Sequence, residues 1–241
     1  MVAASARSPN NLPMSSSSFI GREREIAEIR RLVAFTRLLT LTGPGGCGKT
    51  RLAVAVADSL LKSSRFAHGA WFVDLAGLDA PILIPQVVAT TLGVPEAHDR
   101  SLSESLADFL QHKKLLLILD NCEHLLTGCA ELAQRLLDYC LGVHVLATSR
   151  EPLNVPNEIV WLVPSLGLPD LNSSLPHMAK SEAIQLFVAR ARAALPDFTL
   201  TPDNAAIVKH IWIATDRFHR FQRKAARKHR QPLKQQARLG Q

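Results

Sequence analysis

Five short apolar runs alternate along this chain with longer segments in which apolar residues recur every three or four positions. The clearest run is Leu115-Leu116-Leu117-Ile118-Leu119-Asp120, which has no polar side until its last residue. A strand apolar on both faces belongs in a parallel sheet covered by helices on either side. Similar runs predict strands at 38–42, 70–75, 143–148 and 158–163. From Phe19 onward the first helical stripe appears: Gly21-Arg22-Glu23-Arg24-Glu25 opens it, and Ile26, Ile29, Leu32 and Val33 fall on one face. Further helices are predicted near 81–92 and 102–111, split by Gly93-Val94-Pro95, then over 123–140, and near 180–194 and 202–213. Ile184, Leu186, Phe187 and Ala191 run along one side of the helix at 180–194. This alternation predicts an α/β fold: a mostly parallel five-stranded sheet flanked by helices, followed by a partial helical domain. Residues 1–18, rich in Ser, Pro and Asn, are expected as a disordered leader. The α/β domain is expected to span 19–165. A linker marked by Pro164, Pro169 and Pro176 leads into the helical start at 166–213, and 214–241 stands apart as a tail.

Composition narrows the class. The 241 residues hold one ordinary α/β domain and a small appendage, and 47% apolar residues suffice for a continuous core. No stretch has the roughly 18 uninterrupted apolar residues of a membrane span, and no basic start followed by an apolar core suggests a signal peptide. Cys47, Cys122, Cys129 and Cys140 form no C-x-x-C pair, which fits free thiols in a reducing cytoplasm. His68, His98, His112, His124 and His144 show no metal-ligand spacing and read as structural or solvated. The formal charge of +7 comes from one place: residues 214–241 carry nine Lys/Arg against a single acid, Asp216. The body is close to neutral.

The most specific chemistry lies between the first strand and the next helix. Gly43-Pro44-Gly45-Gly46-Cys47-Gly48-Lys49-Thr50 reads G-x-x-x-x-G-K-T, the Walker A phosphate loop, and Arg51 continues it into Leu52-Ala53-Val54-Ala55. The glycines let backbone N–H groups turn inward while the following helix adds its positive end. Lys49 is the candidate for the β- and γ-phosphates, and the Thr50 hydroxyl for a Mg²⁺ position.

Three further positions complete a candidate site. Asp120 ends an apolar run about 70 residues after the loop, the Walker B pattern whose carboxylate holds the Mg²⁺ water shell; the other reading is a strand-end acid capping the next helix. Glu123 either reaches the γ-phosphate region as a base or serves the adjoining helix N-terminus. Arg150, in Thr148-Ser149-Arg150, either reads the γ-phosphate with its planar fork or pairs with a surface acid such as Glu151. Asn121 cannot take a proton, so any hydrolysis is expected to be slow.

Together, Phe19-Ile20-Gly21-Arg22-Glu23, the phosphate loop, Leu119-Asp120-Asn121-Cys122-Glu123-His124-Leu125 and Ala147-Thr148-Ser149-Arg150-Glu151-Pro152-Leu153 resemble, in that order, the STAND class of signalling ATPases. That class is related to the NB-ARC (AP-ATPase) module, and the resemblance is nearest to bacterial ATPases of LuxR-type or AfsR/SARP-like transcriptional regulators. It covers roughly 10–213. It implies an ATP/ADP switch with Mg²⁺, an adenine and ribose contact through Ile20, Gly21 and Arg22, and a small helical domain beginning around Ser181-Glu182-Ala183. Self-association and upstream or downstream signalling domains are implied as partners. The family's Gly-x-Pro-Leu-Ala motif does not follow the 202–213 segment, where the chain runs Trp212-Ile213-Ala214-Thr215-Asp216 instead. The expectation is that residues beyond about 214 are not the family's helical domain; a reading-frame change would give such a shift. No recognisable DNA-binding motif is present. Other classes stay open: a truncated, binding-only remnant, or a nucleic-acid binder through the basic tail. A small-molecule kinase ranks last, because only Arg100, Lys113 and Lys114 lie between the second and third strands.

Overall fold

A computed structural model describes residues 8–14, 19–63, 65–95, 100–166, 175–208 and 210–211. His98, Pro169 and the tail at 214–241 lie outside them. The chain forms two compact units, one holding Glu23–Val163 and the other holding the chain from Pro164 together with the segment ending at Arg22.

In the first unit the elements run α1 (Glu23–Phe35), β1 (Leu38–Thr42), α2 (Lys49–Leu61), β2 (Ala70–Asp74), α3 (Ile84–Leu92), α4 (Leu102–Leu110), β3 (Leu115–Asp120), α5 (Leu126–Tyr139), β4 (Val143–Ser149) and β5 (Ile159–Leu162). Short 3₁₀ turns at Pro81–Leu83 and Cys122–His124 precede α3 and α5. The five strands make one sheet in the order β2-β3-β4-β1-β5, with each neighbouring pair parallel.

The wholly apolar β3 lies between β2 and β4, and all six of its residues are buried. Leu115, Leu117 and Leu119 face one layer, where they join residues of α3, α4 and α5. On the other side α2 packs on β1, β3 and β4 and is itself backed by α1. Helix α4 starts where its sequence says it should: the Ser101 hydroxyl accepts from the Glu104 N–H while Glu104 Oε2 accepts from the Ser101 N–H, a reciprocal capping box.

The stretch expected as a leader contains an ordered strap at 8–14. The Ala70 N–H donates to Pro9 O (3.1 Å), the Phe72 N–H donates to Asn11 Oδ1 (2.6 Å), and Asn11 Nδ2 donates back to Phe72 O (2.8 Å). A side-chain amide thus satisfies both outward groups of an edge-strand residue. The approach is close enough that a Cβ on Gly69, whose φ is +89°, would fall 1.8 Å from Pro9 O.

His144 on β4 donates from Nδ1 to Thr36 O (3.0 Å) and meets the Phe66 ring edge-on at 5.3 Å. Burial foremost, with Arg65 and Arg37 nearby, lowers its pKa from 6.5 to about 4 against the opposing effect of the Thr36 bond. The neutral ring is the folded form, whereas the unfolded chain takes up the proton first. Stability tied to His144 is therefore complete above pH 6.5 and drains away as pH falls toward 4. We expect a loss of about 1–3 kcal/mol over that interval, after allowing for solvent at the half-buried ring. Thermal midpoints measured from pH 7 to 4 should show this slope, and His144→Gln should flatten it; a slope unchanged in the variant would contradict the assignment.

Among its described residues the second unit holds the helices α6 (Leu175–Met178) and α7 (Glu182–Ala194) and a helical stretch at 202–208. Pro176, expected in a linker, sits instead in the first turn of α6, where a missing N–H costs nothing. Met178, Ile184 and Val208 form its small core, with Phe187 and Phe198 packed edge to face beside them at 5.8 Å.

Candidate nucleotide and metal site

The phosphate loop connects the carboxyl end of β1 to the amino end of α2. Gly46 (φ +76°) and Gly48 (φ +90°) take left-handed conformations there, which explains why those two positions are glycine. Gly48 is the N-cap of α2, and no side chain caps the helix. No side chain therefore competes for the positive end of the helix, which suits an anion. Lys49 is buried, and its ammonium donates to Gly43 O (3.0 Å) and Pro44 O (3.2 Å), folding the side chain back along the loop. Cys47 is buried, and its N–H donates to Pro44 O (3.4 Å). Gly45 lies beside Arg150, whose Nη2 would stand 3.7 Å from a Cβ placed there. Arg51 follows half-buried in the first turn of α2.

Asp120 meets the loop directly. Thr50 Oγ1 donates to Asp120 Oδ2 at 2.9 Å, so the two positions assigned to Mg²⁺ from sequence are in contact. Asp120 Oδ1 accepts a short bond from the Thr148 hydroxyl, which in turn accepts from the Asn121 N–H (3.1 Å). Burial pushes the Asp120 carboxyl upward; the hydroxyls of Thr148 and Thr50 oppose this, nearby Asp74 adds to it, and Lys49 counters. A hydroxyl and a carboxylate beside a phosphate-binding loop are hard oxygen donors, the set that Mg²⁺ takes together with nucleotide phosphates and water. Among the described residues no group of three or more His, Cys, Asp or Glu forms a separate metal site.

The two remaining candidates pair with each other. Arg150 Nε donates to Glu123 Oε1 at 3.0 Å, so the acid that engages Arg150 is Glu123 and not Glu151. An ion pair this open contributes little to stability; its effect is to fix where both side chains point. Glu123 lies in the 3₁₀ turn before α5, not in the first turn of α5 itself. The neighbouring Cys122 thiol, buried against Cys129, is pushed well above its ordinary value by Cys129, by burial, and by Asp120 and Glu123. It is a packed, unreactive group.

Ile20, Gly21 and Arg22 belong to the second unit. The Arg22 N–H donates to Glu182 Oε1 (3.0 Å), and its Nη2 donates to Pro164 O (3.0 Å). Gly21, at φ +71°, leaves room for the Glu182 side chain, which would approach a Cβ to 2.6 Å. Ile20 lines a cavity of about 450 Å³ with Ile184, Val188 and Leu200.

Sequence reading missed Asp74, the hydroxyl of Thr148 and the carboxylate of Glu182. Thr148 and Glu182 lay inside quoted motifs without a role. Asp74 lay one residue inside the strand predicted at 70–75, and a single acid near the end of an otherwise apolar run was the signal that could have singled it out.

Residues 36–153 match the family model described as an AAA domain. Over 183 residues the chain is 41% identical to a Mycobacterium tuberculosis (strain H37Rv) protein named "Putative HTH-type transcriptional regulator", covering 76% of this chain and 19% of that protein. Over 195 residues it is 36% identical to an uncharacterized protein of the same strain, covering 81% of this chain and 46% of the other. The chain thus spans less than half the length of these curated relatives. Among solved structures, a STAND protein with a tetratricopeptide repeat sensor from Pyrococcus horikoshii aligns over 83% of this chain and 28% of its own, at 18% identity and a TM-score of 0.49. Cdc6p from Pyrobaculum aerophilum aligns over 79% and 52%, at 17% identity and a TM-score of 0.47.

Proposed function

We propose that this AAA-type P-loop domain is an adenine-nucleotide switch of the STAND class, related to NB-ARC modules and taken from a LuxR-type transcriptional regulator acting in the cytoplasm. The observation that carries the reading is the Thr50–Asp120 bond beside an uncapped helix start and a buried Lys49. It brings the two sequence-assigned Mg²⁺ positions together where a triphosphate would lie. Lys49 and the loop N–H groups hold the phosphates, and Thr50 and Asp120 hold Mg²⁺, which would neutralise phosphate charge when bound. Arg150, beside Gly45, reads the γ-phosphate. ADP and ATP act by population shift, each moving the chain only by its differential affinity for two forms. Output through DNA and self-association belongs to the longer proteins of which this chain resembles a part.

A binding-only module is the second reading. It is favoured by Asn121, which cannot take a proton, following Asp120, and by the engagement of Glu123 Oε1 with Arg150. Calorimetric titration of ADP and of ATP–Mg²⁺ into the full chain, followed by single-turnover hydrolysis, separates the readings. Micromolar or tighter binding with slow phosphate release supports the switch, and binding without release supports the second reading. A folded chain that binds neither nucleotide defeats both. The tail at 214–241 remains a candidate nucleic-acid arm through its charge alone.

A further inference from the structure

Asp74 ends β2 directly alongside Asp120 at the end of β3, the two being partners in register. Like charges side by side on neighbouring strands are unfavourable, and here an amide lies between them. Asn121 Nδ2 donates to Asp74 Oδ1 at 3.0 Å and to Asp120 Oδ2 at 3.1 Å. Asn121 is itself held in place: its φ is +62°, a region Asn tolerates better than other residues with a side chain, and its N–H is fixed on Thr148. Asp74 Oδ1 is fixed from the other side by the Ala76 N–H at 2.9 Å.

The result is a chain of bonds from an exposed carboxylate to the buried one. Asp120 Oδ2 accepts from both Thr50 and Asn121. Without Asp74 the Asn121 amide would lose its second anchor, and with it the fixed position from which it orients Asp120. With Asp74 present the amide is shared, and its position is set from outside the pocket.

We propose that Asp74 is a positioning residue of the metal site, acting through the Asn121 amide to hold Asp120 in the orientation that serves a divalent cation beside Thr50. This rests on the nucleotide–Mg²⁺ reading of the same site. A carboxylate that only closed a turn with Ala76 would affect folding and leave cation affinity alone. Partners that orient a metal ligand through a hydrogen bond instead change metal affinity about 10–100-fold when removed.

The test is Mn²⁺ affinity, read by electron paramagnetic resonance on the full chain with ADP, alongside ADP affinity in EDTA. Asp74→Ala and Asn121→Ala should each weaken Mn²⁺ binding roughly 10-fold or more, and the double variant should do no worse than either single one. ADP affinity in EDTA should stay within about twofold, since these side chains do not touch the phosphate loop. Asp74→Asn keeps an acceptor oxygen and should retain most of the affinity; it also serves as the check should Asp74→Ala fail to fold. Unchanged Mn²⁺ affinity in Asp74→Ala, while Asp120→Asn loses it, overturns the inference and leaves the site reading intact. Mn²⁺ affinity unmoved in Asp120→Asn, or no ADP binding by wild type, overturns both.

Discussion

Lys49→Ala will lose at least about 100-fold in affinity for ADP and for ATP–Mg²⁺, with the chain still folded. The lysine is buried at the mouth of the loop, and its ammonium spends its donors on the carbonyls of Gly43 and Pro44. Phosphate oxygens are stronger acceptors than neutral carbonyls, so a bound nucleotide takes those donors over. Each charge-assisted bond is worth about 1.5–3 kcal/mol, and two of them lost together correspond to roughly 10²–10⁴ in affinity. Folding should survive, because alanine is well tolerated at the helix start that Lys49 occupies. Lys49→Arg should not rescue, since a planar fork does not replace a point charge within a closed loop. Titration calorimetry with circular dichroism as the folding control decides the matter. Wild-type affinity in a folded Lys49→Ala chain would remove the phosphate-loop reading altogether.

Leu117→Ala will cost about 2–5 kcal/mol, the range for truncating a fully buried leucine. Leu117 is 0% exposed at the middle of β3, with Trp71 and Val145 opposite it on the flanking strands. Its side chain lies in the layer shared with α3, α4 and α5, so several elements lose contacts together. Against a typical total of about 5–15 kcal/mol this is a large share, and it corresponds to a fall of roughly 4–20 °C in Tm. Leu83→Ala, at a position 44% exposed, should change stability by no more than about 0.5 kcal/mol. Urea unfolding followed by tryptophan fluorescence measures both. Equal losses at the two positions would mean that β3 is not the centre of the core.

The architecture was legible because its main signals are local. An apolar run of strand length places β3, and the G-x-x-x-x-G-K-T spacing places the loop between β1 and α2. Asp120 was legible for the same reason, being read from its own strand. The pairings around it were not. Which acid meets Arg150 depends on the 3₁₀ turn that brings Glu123 across, and adjacency in sequence pointed to Glu151 instead. Asp74 meets Asn121 only because β2 and β3 pair in one particular register, which no periodicity within either strand records. The strap at 8–14 escaped notice because one asparagine amide and one proline carbonyl hold it, with no repeating pattern.

That strap bears on where the domain can be cut. The segment matching the AAA family model begins at residue 36, beyond both the strap and α1. A fragment trimmed to that boundary would bare the Ala70 N–H and both backbone groups of Phe72 along β2. It would also uncover the layer into which Ile29 and Val33 are now buried. An open strand edge is a template on which another molecule's chain can add. The few residues from Pro9 to Asn11 therefore act as a stop on sheet growth, and a well-behaved excised domain has to begin ahead of them.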